Sequence, residues 1–473
     1  LRTKYTYLIA LAFLGTLLAV MLQESNLSYV KKNHAHREAY GRILTADDAS
    51  YLEPPINWVT KGTWKDGSRG NSSFVQRPPG YGILFLVGNF CFPSNPYFFL
   101  KWIQIIGCFF SIIIVFKLLI LFELSRKWAY LGTAIFAFSP IFSSFLYHVI
   151  TEGISPFLLL WSFYEWVLIL RSKGNVYRWI GTNAFLILVR PQLLILIVLF
   201  MGYLLVKKQF KLALISSIIL IPFALWMLRT YIHTGSFSLH PIYSENNYSY
   251  YRSPHHRMGE LFKIWEFKSD RFHETMSLLQ ENESKENLDK AIGNVPLSYQ
   301  NKVIDILSDY QQICSYQRKA MAQNDFSKLI KKERYFSKKV MNLQDGLIRS
   351  NLMDAYVYTP FNSASELFIN SHLHLTLFQT KYRGDFWMEA LRWTSLLLVL
   401  CSIITVFIIS FLSKNVPIEL WLICMGSVIT ILYLIFEQRL NEERYLTPIL
   451  PIAFIAFIWF INALMKMSKN KNT

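Results

Sequence analysis

Apolar runs of about twenty residues alternate along this chain with short connections rich in lysine and arginine, and runs of that length suit helices that cross a bilayer. About ten such spans can be laid down. The first covers residues 5–23 and the second 97–122, followed by 128–147 and 151–170. Spans five and six form a tight pair around Arg190-Pro191, where proline removes a backbone donor and breaks the helix. Residues 211–229, 387–412, 417–436 and 445–465 complete the set. The apolar stretch Tyr81–Phe92 is too short to cross and reads as an interfacial or re-entrant helix.

The positive charges orient these spans. Arg2 and Lys4, Arg126-Lys127, Arg171 and Lys173, Lys207-Lys208, Lys414, and Lys466 to Lys471 all fall in connections on one side. Positively charged connections stay cytoplasmic, so both termini are expected in the cytoplasm of a multi-pass protein of the cytoplasmic membrane. Three parts follow: an N-terminal transmembrane module 1–230 with a first outer loop 24–96, an extracytoplasmic domain 231–386, and a C-terminal three-helix module 387–473. The outer domain carries helix-compatible runs at 301–312 and 325–347 and an aromatic–polar stretch at 243–251, suited to interfaces or carbohydrate. The fold class is therefore an all-α polytopic membrane protein with a mostly helical outer domain.

Composition narrows the class further. With 53% hydrophobic residues, the chain is not expected to be soluble. Its formal charge of +17 lies largely in connections, so it reads as a topology signal and a means of holding anionic membrane lipids. No nucleic-acid motif accompanies it, and no nucleic acid is expected as a partner. The five cysteines are scattered, mostly inside apolar runs, and form no disulfide framework. The first apolar run lacks a cleavage-like site and is expected to remain as an anchor.

On this topology Asp47, Asp48, Arg77, Glu152, Arg190, Arg229 and Arg444 all lie on the outer side. A charge at the membrane centre costs about 2.5–3.5 kcal/mol even on a lenient scale, so charges at helix ends need a reason. Asp47 and Asp48 suit a general base with a neighbouring metal ligand, or a helix cap. Glu152 suits a helix N-terminus or a site, and each arginine either snorkels to head groups or binds phosphate. His34-x-His36 without further spaced ligands is a weak metal signal.

The order of these motifs resembles the GT-C superfamily of polyprenyl-phosphate-sugar glycosyltransferases, in the family-39-like branch with protein O-mannosyltransferases and aminoarabinose transferases. The likeness is carried by Asp47-x-x-x-Tyr51-Leu52, Arg77-Pro78-Pro79-Gly80-Tyr81, Ser139-Pro140, Thr151-Glu152 and Leu188-Val189-Arg190-Pro191-Gln192. Trp226-x-x-Arg229, Gly235-Ser236-Phe237 and Arg444-Tyr445-Leu446-Thr447-Pro448 continue it. It spans 5–240 and 387–465; residues 241–386 resemble nothing placed. Gln192 stands where an acid is commoner.

What the resemblance implies is transfer of a sugar from a polyprenyl-phosphate donor to an acceptor hydroxyl, with inversion, on the extracytoplasmic face. It implies that Asp47 is the catalytic base, Asp48 a supporting acid or a ligand with Asp47 of a divalent cation (Mg or Mn). It also implies that Arg77, Tyr81, Glu152, Arg190, Arg229, Arg444 and Tyr445 contact the lipid phosphate or sugar. The acceptor is a lipid, a protein or a polysaccharide. A transporter or flippase, or a polymerase component, for lipid-linked saccharides is the alternative; a transporter would carry polar residues on both faces or at the midplane, and a polymerase would not require Asp47.

Overall fold

In the computed structural model, the described residues are 2–45, 47–65, 77–234, 237, 253–281, 283–323, 327–370, 385–412, 416–439 and 442–471. Among them, six helices are long and apolar enough to cross a membrane: Thr6–Asn33, Pro96–Leu121, Phe210–His233, Phe386–Phe411, Ile418–Gln438 and Leu450–Ser468. They make the chain an integral membrane protein.

The elements run in chain order as follows. Helix α1 (Arg2–Asn33) leads into a two-residue hairpin, β1 (Glu38–Ala39) and β2 (Arg42–Ile43). Then come α2 (Asp48–Lys61), α3 (Gly80–Cys91), α4 (Pro96–Leu121) and α5 (Arg126–Phe138). Helices α6 (Ser155–Leu170), α7 (Val176–Val189), α8 (Leu194–Val206), α9 (Phe210–Ser216) and α10 (Leu220–Thr234) complete the N-terminal half. Between the two halves lie α11 (Ser253–Phe262), α12 (Ser269–Glu281), α13 (Lys285–Gly293), α14 (Leu297–Gln323), α15 (Ser327–Ser350) and α16 (Thr359–Ser365). Helices α17 (Phe386–Phe411), α18 (Ile418–Tyr433) and α19 (Leu450–Lys471) end the chain.

Four of the expected spans are short here. Helices α5 to α8 have 13, 16, 14 and 13 residues, about 20–24 Å at the rise of an α-helix. Span three, expected over 128–147, stops at Phe138 because Pro140 cannot supply the next backbone donor. The chain from Ser144 to Ile150 is then non-helical, yet every residue in it is buried. Its polar backbone finds partners on the hairpin: Ile43 N donates to the Tyr147 carbonyl at 3.0 Å, and Val149 N to the Ile43 carbonyl at 3.1 Å. Arg42, fully buried, donates Nε to the Tyr147 carbonyl at 2.9 Å. Irregular backbone within a membrane protein persists only where protein surrounds it, as here. The β1–β2 hairpin is thereby stitched to the α5–α6 connection.

Two glycines fix the start of the site region. Gly62 ends α2 at a φ of +68°, where a Cβ would be strained. Gly80 opens α3 so close to α7 that an added Cβ would meet the backbone of Leu188 and Val189 at 2.5 Å. Gly80→Ala is expected to lower the thermal midpoint in detergent, by a cost of about 1–3 kcal/mol. An unchanged midpoint would show that α3 shifts freely, against this packing.

Helices α11 to α15 enclose their own apolar core, including Met258, Phe262, Phe272, Met276, Leu307, Phe336 and Val340. Arg439 ties them to the C-terminal helices by donating Nη1 to the Lys263 carbonyl at 2.5 Å. The aromatic–polar stretch 243–251, Gly235, Ser236 and Lys414 lie outside the described residues.

Candidate active site

Helix α2 presents Asp47, Ser50 and Tyr51 at its N-terminus, three and four residues apart and so on one face. Arg77 crosses that face. Its Nη2 reaches Asp47 Oδ1 at 2.7 Å, its Nε Ser50 Oγ at 3.2 Å and its Nη1 the Tyr51 hydroxyl at 3.2 Å. Pro78 and Pro79 follow immediately, so the guanidinium projects from a stiff segment that enters α3.

A second cation arrives from the other end of the chain. Arg444, in the turn before α19, places Nη1 2.7 Å from Asp47 Oδ2 and Nε 2.8 Å from Glu442. Both oxygens of Asp47 are thus held by different arginines. Asp47 makes no side-chain cap to α2, so the capping alternative does not describe it. Burial pushes its carboxyl up, but the Arg77 and Arg444 guanidiniums outweigh that and hold it below the usual aspartate range. On Arg444, burial favours deprotonation, while Tyr445, Glu152, Glu442 and Asp47 together raise it further above its ordinary value.

Beside this triad lies a buried pair. Glu152 and Arg190 are each 4% exposed, with Nη1 2.8 Å from the carboxylate. Thr151 Oγ1 accepts from Arg190 at 3.0 Å. With its amide oxygen turned inward, Gln192 accepts from Arg190 Nη2 at 3.2 Å and Nε at 3.1 Å. The guanidinium is consumed by its neighbours. The Tyr445 ring sits between cations, its centroid 5.7 Å from Arg190 Cζ and 5.4 Å from Arg444 Cζ.

These groups line one cavity of about 70 Å³, formed by Asp47, Tyr51, Arg77, Glu152, Arg190 and Arg444 with their neighbours. That volume suits a few waters rather than a hexose. Three arginines face Asp47, Glu152 and Glu442, so formal charge balances. Glu442 is pushed up by burial, with Arg444 opposing. From above, exposed Asp270 and His273 on α12 act electrostatically on Glu442 and Asp47 respectively.

The cavity thus gathers Asp47, Arg77, Glu152, Arg190, Arg444 and Tyr445 from segments up to almost four hundred residues apart. It does not include three other candidates. Asp48 turns away, its Oδ1 accepting from the Ala49 amide at 2.8 Å, and burial raises its carboxyl. Tyr81 is fully buried behind Tyr51, ring centroids 5.6 Å apart. Arg229 donates to the Trp64 carbonyl at 2.7 Å and covers the Trp226 ring at 4.8 Å. Ser50 and Glu442 also contact these groups although the sequence did not single them out, and Tyr51 and Thr151, quoted there only within motifs, do so as well. The i, i+3, i+4 spacing after Asp47 was the signal for Ser50 and Tyr51.

A divalent cation does not fit the paired aspartates. Asp48 does not line the cavity, and both Asp47 oxygens are within bonding distance of guanidiniums. Among the described residues no cluster of three or more His, Cys, Asp or Glu side chains is placed to hold a metal.

Fold and cavity together define a polytopic helical membrane protein with a charge-balanced pocket between loops and helix ends. Two solved structures of the oligosaccharyltransferase of Archaeoglobus fulgidus are similar to it. That in complex with Zn and sulfate has 13% identity and a TM-score of 0.47, over 97% of this chain and 49% of the other. The archaeal oligosaccharyltransferase AglB in complex with an inhibitory peptide and a dolichol-phosphate has 14% identity and a TM-score of 0.48, over 98% and 51%. The chain spans about half the length of those proteins. No family model and no curated protein matches it.

Proposed function

We propose that this chain is an integral membrane glycosyltransferase that moves a sugar from a polyprenyl-phosphate donor to an acceptor hydroxyl, with inversion and Asp47 as base. The observation that carries the reading is the double clamp on Asp47, a carboxylate held by two arginines that a phosphate would also bind. The motif order in the sequence supports the donor class. About ten crossings, four of them short and completed by buried irregular segments, would put both termini in the cytoplasm and the cavity outside.

The chemistry follows from the charges. A donor phosphodiester entering beside Arg77 and Arg444 draws these cations from Asp47, which widens the cavity and restores the basicity that they suppress. The acceptor oxygen attacks the anomeric carbon from the opposite face to the phosphate. The bond from carbon to phosphate oxygen breaks, its electron pair leaving with the polyprenyl phosphate, where the arginines stabilise the charge. The acceptor proton passes to Asp47. Glu152 holds Arg190 in place during this exchange, while Arg444 swings to the phosphate beside the Tyr445 ring.

Purified protein with a radiolabelled polyprenyl-phosphate sugar and envelope extract as acceptor tests the reading. Arg444→Gln is expected to weaken donor use by ten-fold or more, since a charge-assisted contact is worth about 1.5–3 kcal/mol. Arg229→Gln, outside the cavity lining, should change transfer by only a few fold. Equal losses in the two variants, or flipping of the donor lipid without transfer, would remove the proposal.

A further inference from the structure

Helices α11 to α15 hold a second cavity that the transfer chemistry does not use. It measures about 210 Å³, three times the volume around Asp47, and lies where the start of α11 meets α12 and α14. Tyr310, only 2% exposed, forms its floor. The Tyr310 hydroxyl receives Gln280 Nε2 at 2.8 Å and stands 3.2 Å from His255 Nδ1. Gln317 and Arg318 complete the polar lining, which among the described residues contains no aspartate or glutamate. Arg318 is positioned by an Nη1 bond to the Gln280 carbonyl. That bond uses one of the five donors a guanidinium carries.

The surface beside the cavity is cationic. Lys319 follows Arg318, both exposed on α14, and Lys332 of α15 lies over the Tyr316 ring at 3.2 Å from its centroid. Helix α15 exposes Lys328, Lys331, Lys332, Arg334 and Lys338. The acid within that run, Glu333, is turned inward and accepts from Gln317 at 2.7 Å. Cations therefore line the α14–α15 side of the approach with Glu333 buried beneath it, while exposed Glu281 and Glu283 border the end of α12. A basic helix alone is usually a solvated face; a roomy, hydrogen-bonded cavity at its border is not.

We propose that this cavity binds an anionic saccharide unit, a sugar bearing a carboxylate or a phosphate, at a site separate from Asp47. Its carboxamides, phenol and imidazole supply the directional partners that ring hydroxyls require, at a volume that admits one sugar ring. Arg318 takes the anion in a bidentate contact, and the lysines raise the local concentration of a charged glycan. A neutral sugar lacks the group that Arg318 selects.

Binding to the full chain in detergent micelles tests this without any transfer assay, so failure of the Asp47 reading leaves it untouched. Tetragalacturonate and glucose 6-phosphate are titrated as the carboxylate and phosphate probes, with maltotetraose as the neutral control. At least one anionic probe should bind, and maltotetraose should bind ten-fold more weakly or not at all. Arg318→Gln should reduce the anionic affinity at least ten-fold, and Arg318→Lys should do so partly, because lysine keeps the charge but not the fork. Lys290→Gln, on exposed α13, should leave it unchanged, and thermal midpoints confirm that each variant is folded. Undiminished binding in Arg318→Gln overturns the proposal. So does equal competition by a polyglutamate of matched charge, which would make the surface a polyanion face rather than a saccharide site.

Discussion

Asp47→Asn protein is expected to remain folded and to bind a polyprenyl-phosphate sugar at least as well as the parent, while transferring it 10²- to 10⁴-fold more slowly. The amide keeps the shape of the side chain and can still accept from one arginine. It removes one negative charge from a cavity where three acids balance three arginines, which leaves an excess that favours a phosphate. It also removes the group able to take the acceptor's proton. Tighter donor binding with lost turnover is therefore the signature, and a purely structural aspartate would lose both together. Turnover should also fall at low pH. Because the arginines depress the Asp47 carboxyl, the clamp on the start of α2 is fully present above the ordinary aspartate range and is lost as pH falls through the depressed value. In the donor-bound protein, with the arginines drawn to phosphate, the acidic limb of the rate profile should sit higher than that structural transition. A rate profile and an unfolding profile that coincide would argue against the exchange of partners, and full turnover in Asp47→Asn would falsify the base.

The Glu152–Arg190 pair carries the second large effect, on stability. Removing one partner of a buried pair leaves a charge without compensation, at a cost of about 3–5 kcal/mol. Arg190→Ala strands Glu152, and also leaves Thr151 and Gln192 without their donor. The expected result is poor recovery of folded protein and a markedly lower thermal midpoint. Replacing both members together, Glu152→Leu with Arg190→Met, should restore much of the lost stability, because the desolvation of both charges is then avoided. An Arg190→Ala protein with normal stability but weak donor binding would instead make Arg190 a phosphate ligand in its own right. Its engagement by Glu152, Thr151 and Gln192 argues for the first outcome.

Several individual elements were legible before the fold was known. The break at Arg190-Pro191 appears where proline dictates it, and the short apolar stretch after Arg77 folds as a helix at Gly80–Cys91. Helices also occupy the expected outer runs, at Leu297–Gln323 and Ser327–Ser350. The length of span three was not legible, since hydropathy continues through Phe138 into an apolar segment that the structure keeps irregular. Hydrogen bonds from Arg42 and Ile43 satisfy that irregular backbone, and they come from a hundred residues earlier. Asp48 and Asp47 look equivalent as neighbours in sequence. One turns into the cavity and the other toward its own backbone.

What the sequence determined by itself was the membrane character, because each long apolar run is a local property that water cannot accommodate. It also singled out the motifs that bear charge, since a charge near a helix end in lipid is costly wherever it occurs. Which charges meet was decided only by the tertiary structure. Asp47, Arg77 and Arg444 lie up to almost four hundred residues apart, and nothing in spacing alone distinguishes an arginine that clamps a carboxylate from Arg229 resting on tryptophan. Electrostatic energy depends on distance and burial, both of which are properties of packing. The partners of each charge are therefore set when the α2 turn, the Arg77 segment and the turn before α19 close on one another.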